Sequence, residues 1–335
     1  MTHATAFGVD VGFGNTKATF RIGSAKRQLM FPSLAKLTPE NSGLTSSFGE
    51  YNTSHRTTNV LVDGNLYEVG PGVQTSNAWQ SRAQADDYPL SAVYAALLGG
   101  AFKFANITSV EQLVLGLPVH TVQKYKAALA AKFTGKQNFG DFEIEVGSVS
   151  VLPQPIGTLL SVTQAKVARL IPDTSVLLVD VGYFTTDWVV MRDNKIDSSR
   201  SYGITGGASK VYRKIAERIG AQTNKQVNGI ERIDNALRES RAFTVHGESY
   251  DIATDYLPAA LAVVDPVVKE IQNRVGDAED IAEIWLSGGG AQLYLEALKR
   301  AYPSITMQIV PNPCFANSEG FFIAGEAASR RPAVG

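Results

Sequence analysis

Residues 9–16 read VDVGFGNT, and residues 179–186 repeat the pattern as VDVGYFTT. Each copy follows an apolar, β-branched run and precedes another, which predicts a strand, a tight turn and a return strand. The two copies stand about half of the 335-residue chain apart. This spacing indicates two similar lobes that arose by duplication, each presenting one glycine-containing hairpin to a shared cleft. The alternative is two unrelated hairpins that share the tetrapeptide VDVG by chance.

The remaining sequence alternates between strand and helix patterns, which predicts an α/β protein. The expected strands are 110–117 and 281–286, with a hairpin at 61–69. The expected helices are 122–133, 208–219 and 291–302, with a buried helix within 91–102. A further helical stretch is expected at 255–275, where Pro258 and Pro266 cap or kink it. The polar segment 38–58 is too long for an ordinary connection and is expected to be mobile. The predicted division is a first domain at 1–155 with a mobile subdomain near 30–80, a second domain at 156–329, and a disordered tail at 330–335.

Composition argues against several classes of function. The formal net charge is −1, so the chain offers no broad basic surface for nucleic acid or an anionic membrane, and any link to DNA is expected to pass through an adaptor protein.

Cys314 is the single cysteine, which excludes an intramolecular disulfide and a thiolate metal site and favours the cytoplasm. The four histidines are scattered without metal-binding spacing. The first residues do not resemble a signal peptide, and no apolar run is long enough to span a bilayer.

Glycines in both predicted turns would let backbone N–H groups approach an anion without obstruction. Gly12, Gly14 and Asn15 form one expected anion-binding nest, and residues 182–185 form the other. Lys17 follows the first turn and would add a point charge for phosphates. Asp187 occupies the equivalent position in the second copy, so the two hairpins are chemically unequal.

Asp10 and Asp180 stand where the apolar strands give way to the turns. Because a half-buried carboxylate needs partners, we expect them to bind Mg²⁺ or its waters, with turn capping as the alternative role. A third glycine element, SGGG at 287–290, follows a strand and opens a helix, which permits close approach of a ligand to the backbone. The sequence contains no P-loop motif, and the first strand is not followed by the glycine pattern of a dinucleotide-binding domain.

These motifs resemble those of the actin, sugar-kinase and heat-shock ATPase superfamily. Asp10, Gly12 and Lys17 match its first phosphate motif, residues 180–187 match the second, residues 286–291 match the adenosine motif, and residues 318–325 match the second connecting helix. The resemblance covers nearly the whole chain in order. It implies an actin-like, ribonuclease H-like fold of duplicated domains flanking a cleft for ATP or ADP and Mg²⁺.

Within that superfamily, the compact size and the run LPQPIG at 152–157 resemble the ParM/StbA actin-like ATPases, particularly the plasmid-borne group called PRTRC system protein D. Such proteins form ATP-dependent filaments that move plasmid copies apart with a DNA-bound adaptor. The resemblance therefore implies an ATPase that assembles with itself, without direct binding to nucleic acid or membrane.

The resemblance also assigns a catalytic role to Gln154, which would orient the water that attacks the γ-phosphate. The alternative is that Gln154 is merely a polar loop residue between two prolines. Asp10 and Asp180 complete the predicted catalytic and metal-binding set. The predicted nucleotide contacts are Gly12, Phe13, Gly14, Asn15, Lys17, Gly182, Tyr183, Thr185, Thr186, Gly207, Lys210, Gly288, Gly289, Gly290 and Gln292.

Two other functions remain open at the level of sequence. A small-molecule kinase of the same fold would transfer the γ-phosphate to an acceptor, although the sequence offers no distinct general base for a hydroxyl. A nucleotide-gated binding module, comparable to a chaperone ATPase domain, is the third class. Nothing after Gly325 resembles an appended peptide-binding domain.

Overall fold

The computed structural model describes residues 2–38, 57–73, 87–164, 173–192 and 195–330. These residues form two compact units. The first unit contains residues 2–38, 57–73, 87–164 and 311–330, and the second contains residues 173–192 and 195–310. Most of the predicted mobile segment 38–58, subdomain residues 74–80 and tail residues 331–335 lie outside the described residues.

A six-stranded sheet forms the centre of the first unit, in the order β3-β2-β1-β7-β9-β8. Its strands are β1 (His3–Val11), β2 (Asn15–Ile22), β3 (Ala25–Pro32), β7 (Ser109–Leu117), β8 (Gly135–Asn138) and β9 (Glu143–Pro153). The pairs β1–β2, β2–β3 and β8–β9 are antiparallel, whereas β1–β7 and β7–β9 are parallel. A smaller sheet contains β4 (Lys36–Leu37), β5 (Thr58–Val62) and β6 (Asn65–Val69). The predicted hairpin at 61–69 is confirmed, with Asp63 and Gly64 at positive φ in its turn.

The helices of the first unit include one that is buried along most of its length, Ala92–Ala105, and one that buries an apolar face at helical spacing, Val119–Phe133. They are α1 (Ala92–Ala105), α2 (Val119–Phe133), α3 (Gln154–Gln164) and α10 (Ala316–Ser329), with a 3-10 turn at Tyr88–Leu90. Helix α1 begins where the Ser91 side chain accepts a hydrogen bond from the Tyr94 N–H, and it ends at Asn106 in the left-handed conformation. Helix α1 packs on the sheet through Phe102, whose ring centroid lies 5.0 Å from that of Phe7 on β1. Rings of this kind each contribute about 3–5 kcal/mol relative to alanine.

The second unit contains a five-stranded sheet in the order β12-β11-β10-β15-β16. Its strands are β10 (Ser175–Val181), β11 (Thr185–Arg192), β12 (Lys195–Thr205), β15 (Ile281–Ser287) and β16 (Thr306–Ile309), and a separate hairpin contains β13 (Phe243–Val245) and β14 (Glu248–Tyr250). Strands β10, β11 and β12 pair in antiparallel fashion, and β10–β15 and β15–β16 are parallel. Strand β10 is buried along its entire length, as its continuous apolar run predicts.

The helices of the second unit are α4 (Ser209–Thr223), α5 (Ile230–Arg238), α6 (Ile252–Asp255), α7 (Leu257–Ala260), α8 (Asp265–Val275) and α9 (Ala291–Ala301), with a 3-10 turn at Leu261–Val264. Pro258 and Pro266 occupy the first turns of α7 and α8. A proline is tolerated there because the first helical N–H groups have no partner within the helix. The prediction that these prolines interrupt the segment 255–275 is confirmed.

The two units share one topology. The strand order β3-β2-β1-β7-β9 in the first unit corresponds to β12-β11-β10-β15-β16 in the second, with two antiparallel pairs followed by two parallel pairs in each. The structure therefore confirms the duplicated α/β fold that the repeated VDVG pattern predicts.

The division of the chain differs from the predicted boundary after residue 155. Helix α3 belongs to the first unit, and so does the C-terminal helix α10, which packs on β1 and α3. The chain therefore returns to its first unit after completing the second. Among the described residues, no helix is both long and apolar enough to cross a membrane.

Candidate functional site

The two glycine hairpins have the same strand register. In the first, Val11 pairs with Thr16 and Asp10 with Lys17; the second repeats the pairing over residues 180–187, with Asp187 opposite Asp180. A Cβ atom on Gly12 would lie 3.1 Å from the Asn15 carbonyl oxygen, and one on Gly182 would lie 3.2 Å from that of Thr185. Both turns are therefore tight at the same position, which confirms the predicted strand, turn and strand.

The Asp10 carboxylate is buried beneath the first hairpin, with 2% of the residue exposed. Its Oδ2 lies 3.2 Å from the Lys17 Nζ, and its Oδ1 accepts a 2.8 Å hydrogen bond from the Gln154 Nε2. The structure thus brings together three predicted site residues. The Lys17 side chain, only 15% exposed, points its ammonium group at Asp10 and forms a charge pair at the base of the turn.

Gln154 is the first residue of helix α3, directly after β9, so it does not lie in the loop that the alternative interpretation assumed. Since a carboxylate can only accept hydrogen bonds, the amide nitrogen of Gln154 must face Asp10. The amide oxygen of Gln154 is then the atom that can accept a hydrogen bond from a water. Asp10 in this way fixes the orientation of the Gln154 amide.

Aromatic rings support the first turn. The Phe13 ring stacks on Tyr88 with centroids 4.7 Å apart, and Tyr88 meets the edge of Tyr94 at 5.6 Å. Burial, followed by the nearby Tyr88 and Asp10, raises the pKa of Tyr94 well above its usual value, so its hydroxyl stays neutral. Gly14 contributes its carbonyl oxygen, which accepts from the Ser33 N–H at 2.9 Å and ties the turn to the end of β3. Tyr88, which contacts the turn, and Tyr94, which packs against Tyr88, were not predicted from the sequence because both are distant from the turn along the chain.

The Asp180 carboxylate lies at the end of β10, with 5% of the residue exposed, and its Oδ1 accepts from the Ser287 Oγ at 3.0 Å. The glycine loop at 288–290 packs directly against this strand end. Gly288 has a φ of 83°, and a Cβ atom there would lie 2.2 Å from the Val181 carbonyl oxygen. Gly290 donates its N–H to that same carbonyl at 2.9 Å. The second and third glycine elements therefore lie side by side within the second unit.

The N-terminus of helix α4 donates its backbone N–H groups to the second hairpin. The Ala208 N–H donates to the Gly182 carbonyl at 3.0 Å, and the Ser209 N–H donates to the Tyr183 carbonyl at 2.8 Å. A Cβ atom on Gly207 would lie 2.5 Å from the Gly182 oxygen, so a glycine is needed for this contact. These groups therefore hold the turn in place.

Four more of the predicted contact residues have defined positions in the second unit. Thr186 is fully buried, and its hydroxyl donates to the Gly206 carbonyl oxygen at 3.0 Å. The N–H of Gly182 donates to the Thr185 carbonyl at 2.9 Å within the hairpin. Lys210 lies half-buried in the first turn of α4, and Gln292 is exposed in the first turn of α9.

A buried aspartate on α5 joins three elements of the second unit. The Asp234 Oδ1 accepts from the Tyr212 hydroxyl at 2.6 Å and from the Arg238 Nε at 2.8 Å. Arg238 also donates to the Gly289 carbonyl at 3.3 Å, which anchors the glycine loop. Burial and then Asp234 raise the pKa of Tyr212. These residues were not predicted from the sequence, although the i,i+4 spacing of Asp234 and Arg238 on a helix is a detectable signal.

Replacing Tyr212 with phenylalanine should lower the free energy of unfolding by about 2 kcal/mol, because a buried carboxylate would lose a hydrogen-bond donor. Urea unfolding followed by circular dichroism measures the change. The matched control is Tyr250→Phe, which removes a hydroxyl bonded to the Glu248 Oε2 at 2.6 Å on the surface and should leave stability nearly unchanged. Equal losses in the two variants would contradict a special role for the Asp234 cluster.

The acidic groups suit a hard cation held mostly by waters. Within the described ranges, no cluster of three or more His, Cys, Asp or Glu side chains could hold a metal ion alone. Mg²⁺ typically uses one or two carboxylates together with phosphate oxygens and waters. Asp10 and Asp180 each place a carboxylate at the end of a buried strand. Their donor chemistry fits Mg²⁺ bound through waters.

Two known protein families match successive parts of the chain. Residues 8–157 match the family described as actin-like proteins, N-terminal domain, and residues 178–300 match the archaeal actin homologue MreB-like, C-terminal family. No curated protein sequence matches the chain.

Several solved structures share the fold at low sequence identity. A ParM in a 15-stranded filament from Clostridium botulinum is 22% identical, with a TM-score of 0.76, covering 98% of this chain and 100% of that one. An archaeal actin homologue in complex with ADP is 17% identical, with a TM-score of 0.75 and coverages of 96% and 99%. Bacillus thuringiensis ParM with ATP is 10% identical, with a TM-score of 0.62 and coverages of 99% and 100%.

The chain therefore has the duplicated fold of actin-like proteins, and each of its two parts matches an actin-like domain family. Its two parts match actin-like families in chain order, and ParM proteins and archaeal actin homologues share its fold along nearly the whole length. The predicted fold class and the predicted superfamily are therefore confirmed, and the ParM-type resemblance is supported at low identity.

Proposed function

We propose that this chain is an ATPase that binds Mg·ATP with its two glycine hairpins, polymerises into filaments, and acts in plasmid or DNA segregation. The observation that carries the proposal is the contact of the Gln154 amide with Asp10 at the first hairpin. A glutamine held in this orientation can position a water, and the register of that hairpin recurs in the second unit.

Phosphoryl transfer depends chiefly on positioning and on stabilising charge, so a strong base is not needed. In the proposed mechanism the Gln154 Oε1 accepts a hydrogen bond from the attacking water, while the bond from its Nε2 to Asp10 prevents the amide from turning over. Glutamine does not take up the proton, which leaves hydrolysis slow. Slow hydrolysis suits a protein whose assembled state must persist before disassembly.

Asp10 and Asp180 are the proposed ligands of Mg²⁺, through its waters. When bound, Mg²⁺ would neutralise charge on the phosphate oxygens. Lys17 neutralises Asp10 at the base of the first turn, so a phosphate group there would meet a site without excess negative charge. Gly288 and Gly289 carry no side chains that would cover the backbone of their loop. Contacts with Arg238 and Val181 hold this loop in place, and the proposed role of the loop is to bind the nucleoside.

The proposed filament needs a head-to-tail contact between identical subunits. Different faces of identical subunits can join without closing a ring, and a small rotation at each contact gives an open helix. A micromolar critical concentration corresponds to roughly 8 kcal/mol for subunit addition, and a tenfold shift between nucleotide states needs about 1.4 kcal/mol. The ParM filament of Clostridium botulinum, whose fold this chain shares, supports self-assembly.

The proposed partners and compartment follow from composition. A net charge of −1 gives little attraction for DNA phosphates, so the proposed link to DNA is an adaptor protein. The single cysteine is compatible with a reducing compartment, and we propose that the protein acts in the cytoplasm.

The proposal predicts that ATP and Mg²⁺ will drive the protein into filaments above a critical concentration, with hydrolysis per subunit rising steeply at the same threshold. Sedimentation and negative-stain electron microscopy across a protein concentration series, with ATP, a slowly hydrolysed analogue or ADP, measure the effect. The analogue should give the most persistent polymer. A protein that binds ATP but stays monomeric at every concentration would contradict filament formation and favour a small-molecule kinase.

A further inference from the structure

The C-terminal helix α10 lies in backbone contact with helix α3. A Cβ atom on Gly320 would lie only 1.7 Å from the Gly157 carbonyl oxygen, and one on Gly157 would lie 2.5 Å from the Asn317 carbonyl oxygen. Only two facing glycines allow the helix backbones to come this close. Helix α3 begins with Gln154, so α10 packs within one turn of the proposed catalytic residue.

The same helix also packs on the strand that carries Asp10. A Cβ atom on Gly8 would lie 2.3 Å from the Phe322 nitrogen, and the Ser318 hydroxyl forms a buried 3.0 Å hydrogen bond with that of Thr19 on β2. Helix α10 is therefore fixed to the first hairpin on one side and to α3 on the other. Its position sets the separation between β1, which carries Asp10, and the start of α3.

One side-chain hydrogen bond joins α3 to α10 one turn after Gln154. Thr158 is fully buried, and its Oγ1 donates to the Asn317 Oδ1 at 2.8 Å. Thr158 lies four residues after Gln154, so the two side chains lie on the same face of the helix, one turn apart. A bond that holds Thr158 against α10 consequently directs the face that carries Gln154 towards Asp10.

We propose that Asn317 is a positioning residue for Gln154 and acts through the hydroxyl of Thr158. This inference rests on the proposed ATPase function. Asn317 lies far from Gln154 in sequence, and its side chain reaches helix α3 at Thr158, one turn from Gln154. Misplacement of a catalytic group by about 1 Å can cost on the order of a hundredfold in rate, so a small rotation of α3 is sufficient.

The test replaces Thr158 with valine, which keeps the shape of the side chain and removes the hydroxyl. The single-turnover rate of ATP hydrolysis in Thr158→Val should fall on the order of tenfold, while the Kd for ATP stays within about twofold of wild type. Thr158→Ser, which retains the hydroxyl, should restore most of the rate. The matched control is Thr163→Val on the same helix, whose hydroxyl bonds the Leu159 carbonyl within α3 and should leave both quantities unchanged.

Urea unfolding of each variant separates loss of position from loss of fold. If Thr158→Val does not fold, Asn317→Ser tests the same hydrogen bond from the other side, with the same expected loss of rate. Wild-type hydrolysis in a folded Thr158→Val or Asn317→Ser variant overturns the positioning role, and so does a rate that falls only in step with ATP affinity. A wild-type protein that does not hydrolyse ATP would instead contradict the proposed function itself.

Discussion

Replacing Asp10 with asparagine is expected to reduce the single-turnover rate of ATP hydrolysis by about 100- to 1000-fold, the range seen when one preorganised polar group is removed from a catalytic site. Asparagine has the size of aspartate and still offers an oxygen to the Gln154 Nε2, which donates at 2.8 Å in the wild type. The substitution removes the negative charge that faces Lys17 and the carboxylate proposed to hold Mg²⁺. Rapid-quench measurement of ATP cleavage at saturating protein gives the rate.

The matched control is Asp265→Asn, which removes a carboxylate from an exposed ion pair with Arg300 at 2.8 Å. Because exposed pairs contribute little, this variant should hydrolyse ATP like the wild type. A folded Asp10→Asn variant with a rate within threefold of wild type would remove Asp10 from the mechanism. If Asp10→Asn does not fold, Asp180→Asn repeats the test in the second unit, where the Ser287 hydroxyl can still donate to the asparagine oxygen.

Both hairpins could be predicted from sequence because their signals are local. Apolar strand runs on either side of a turn glycine determine the pairing of Val11 with Thr16 and of Val181 with Thr186, and no distant residue is needed to specify it. The repeat itself then indicated the duplicated topology. The glycine loop at 288–290 was predicted for the same reason, since it follows a buried strand and opens a helix.

The partners of the site residues could not be predicted, because they are far apart in sequence. Nothing near Asp10 indicates that Gln154 will donate to it, or that Asn317 will bond Thr158. The predicted boundary after residue 155 differs from the observed division for a similar reason. Helix α10 follows the second unit in sequence, yet it packs on β1 at the opposite end of the chain. Packing of this kind depends on tertiary contacts that a single sequence does not display.

Thr186 shows that a sequence motif does not determine which group a side chain bonds. Its motif predicts a nucleotide contact, but a hydroxyl in such a motif can equally bond the backbone of its own domain. In the structure the Thr186 hydroxyl donates to the Gly206 carbonyl, which lies beside the helix that holds the second turn. Motif matching identifies the hairpin, and the contacts of each side chain decide which atoms face a ligand.

Replacing Gly320 with alanine should destabilise the protein severely, by about 3 kcal/mol or more, because overpacking at rigid backbone leaves few ways to relax. The added methyl group would lie 1.7 Å from the Gly157 carbonyl oxygen and 2.4 Å from its carbonyl carbon, so the helices α3 and α10 must move apart. Urea unfolding gives the loss, and a folded fraction that does form should hydrolyse ATP more slowly, since separation of the helices displaces Gln154 from Asp10.

The matched control is Gly220→Ala in helix α4, where a Cβ atom would meet only the Lys225 carbonyl oxygen, at 3.0 Å. There the gain in helix propensity, about 1 kcal/mol, opposes one tight contact at the end of the helix, and stability should change little. If Gly320→Ala were as stable as Gly220→Ala and as active as the wild type, the close crossing of α3 and α10 would not be what holds Gln154 in place. Loss of stability with unchanged hydrolysis in the folded fraction would give the close crossing of the glycines a structural role only.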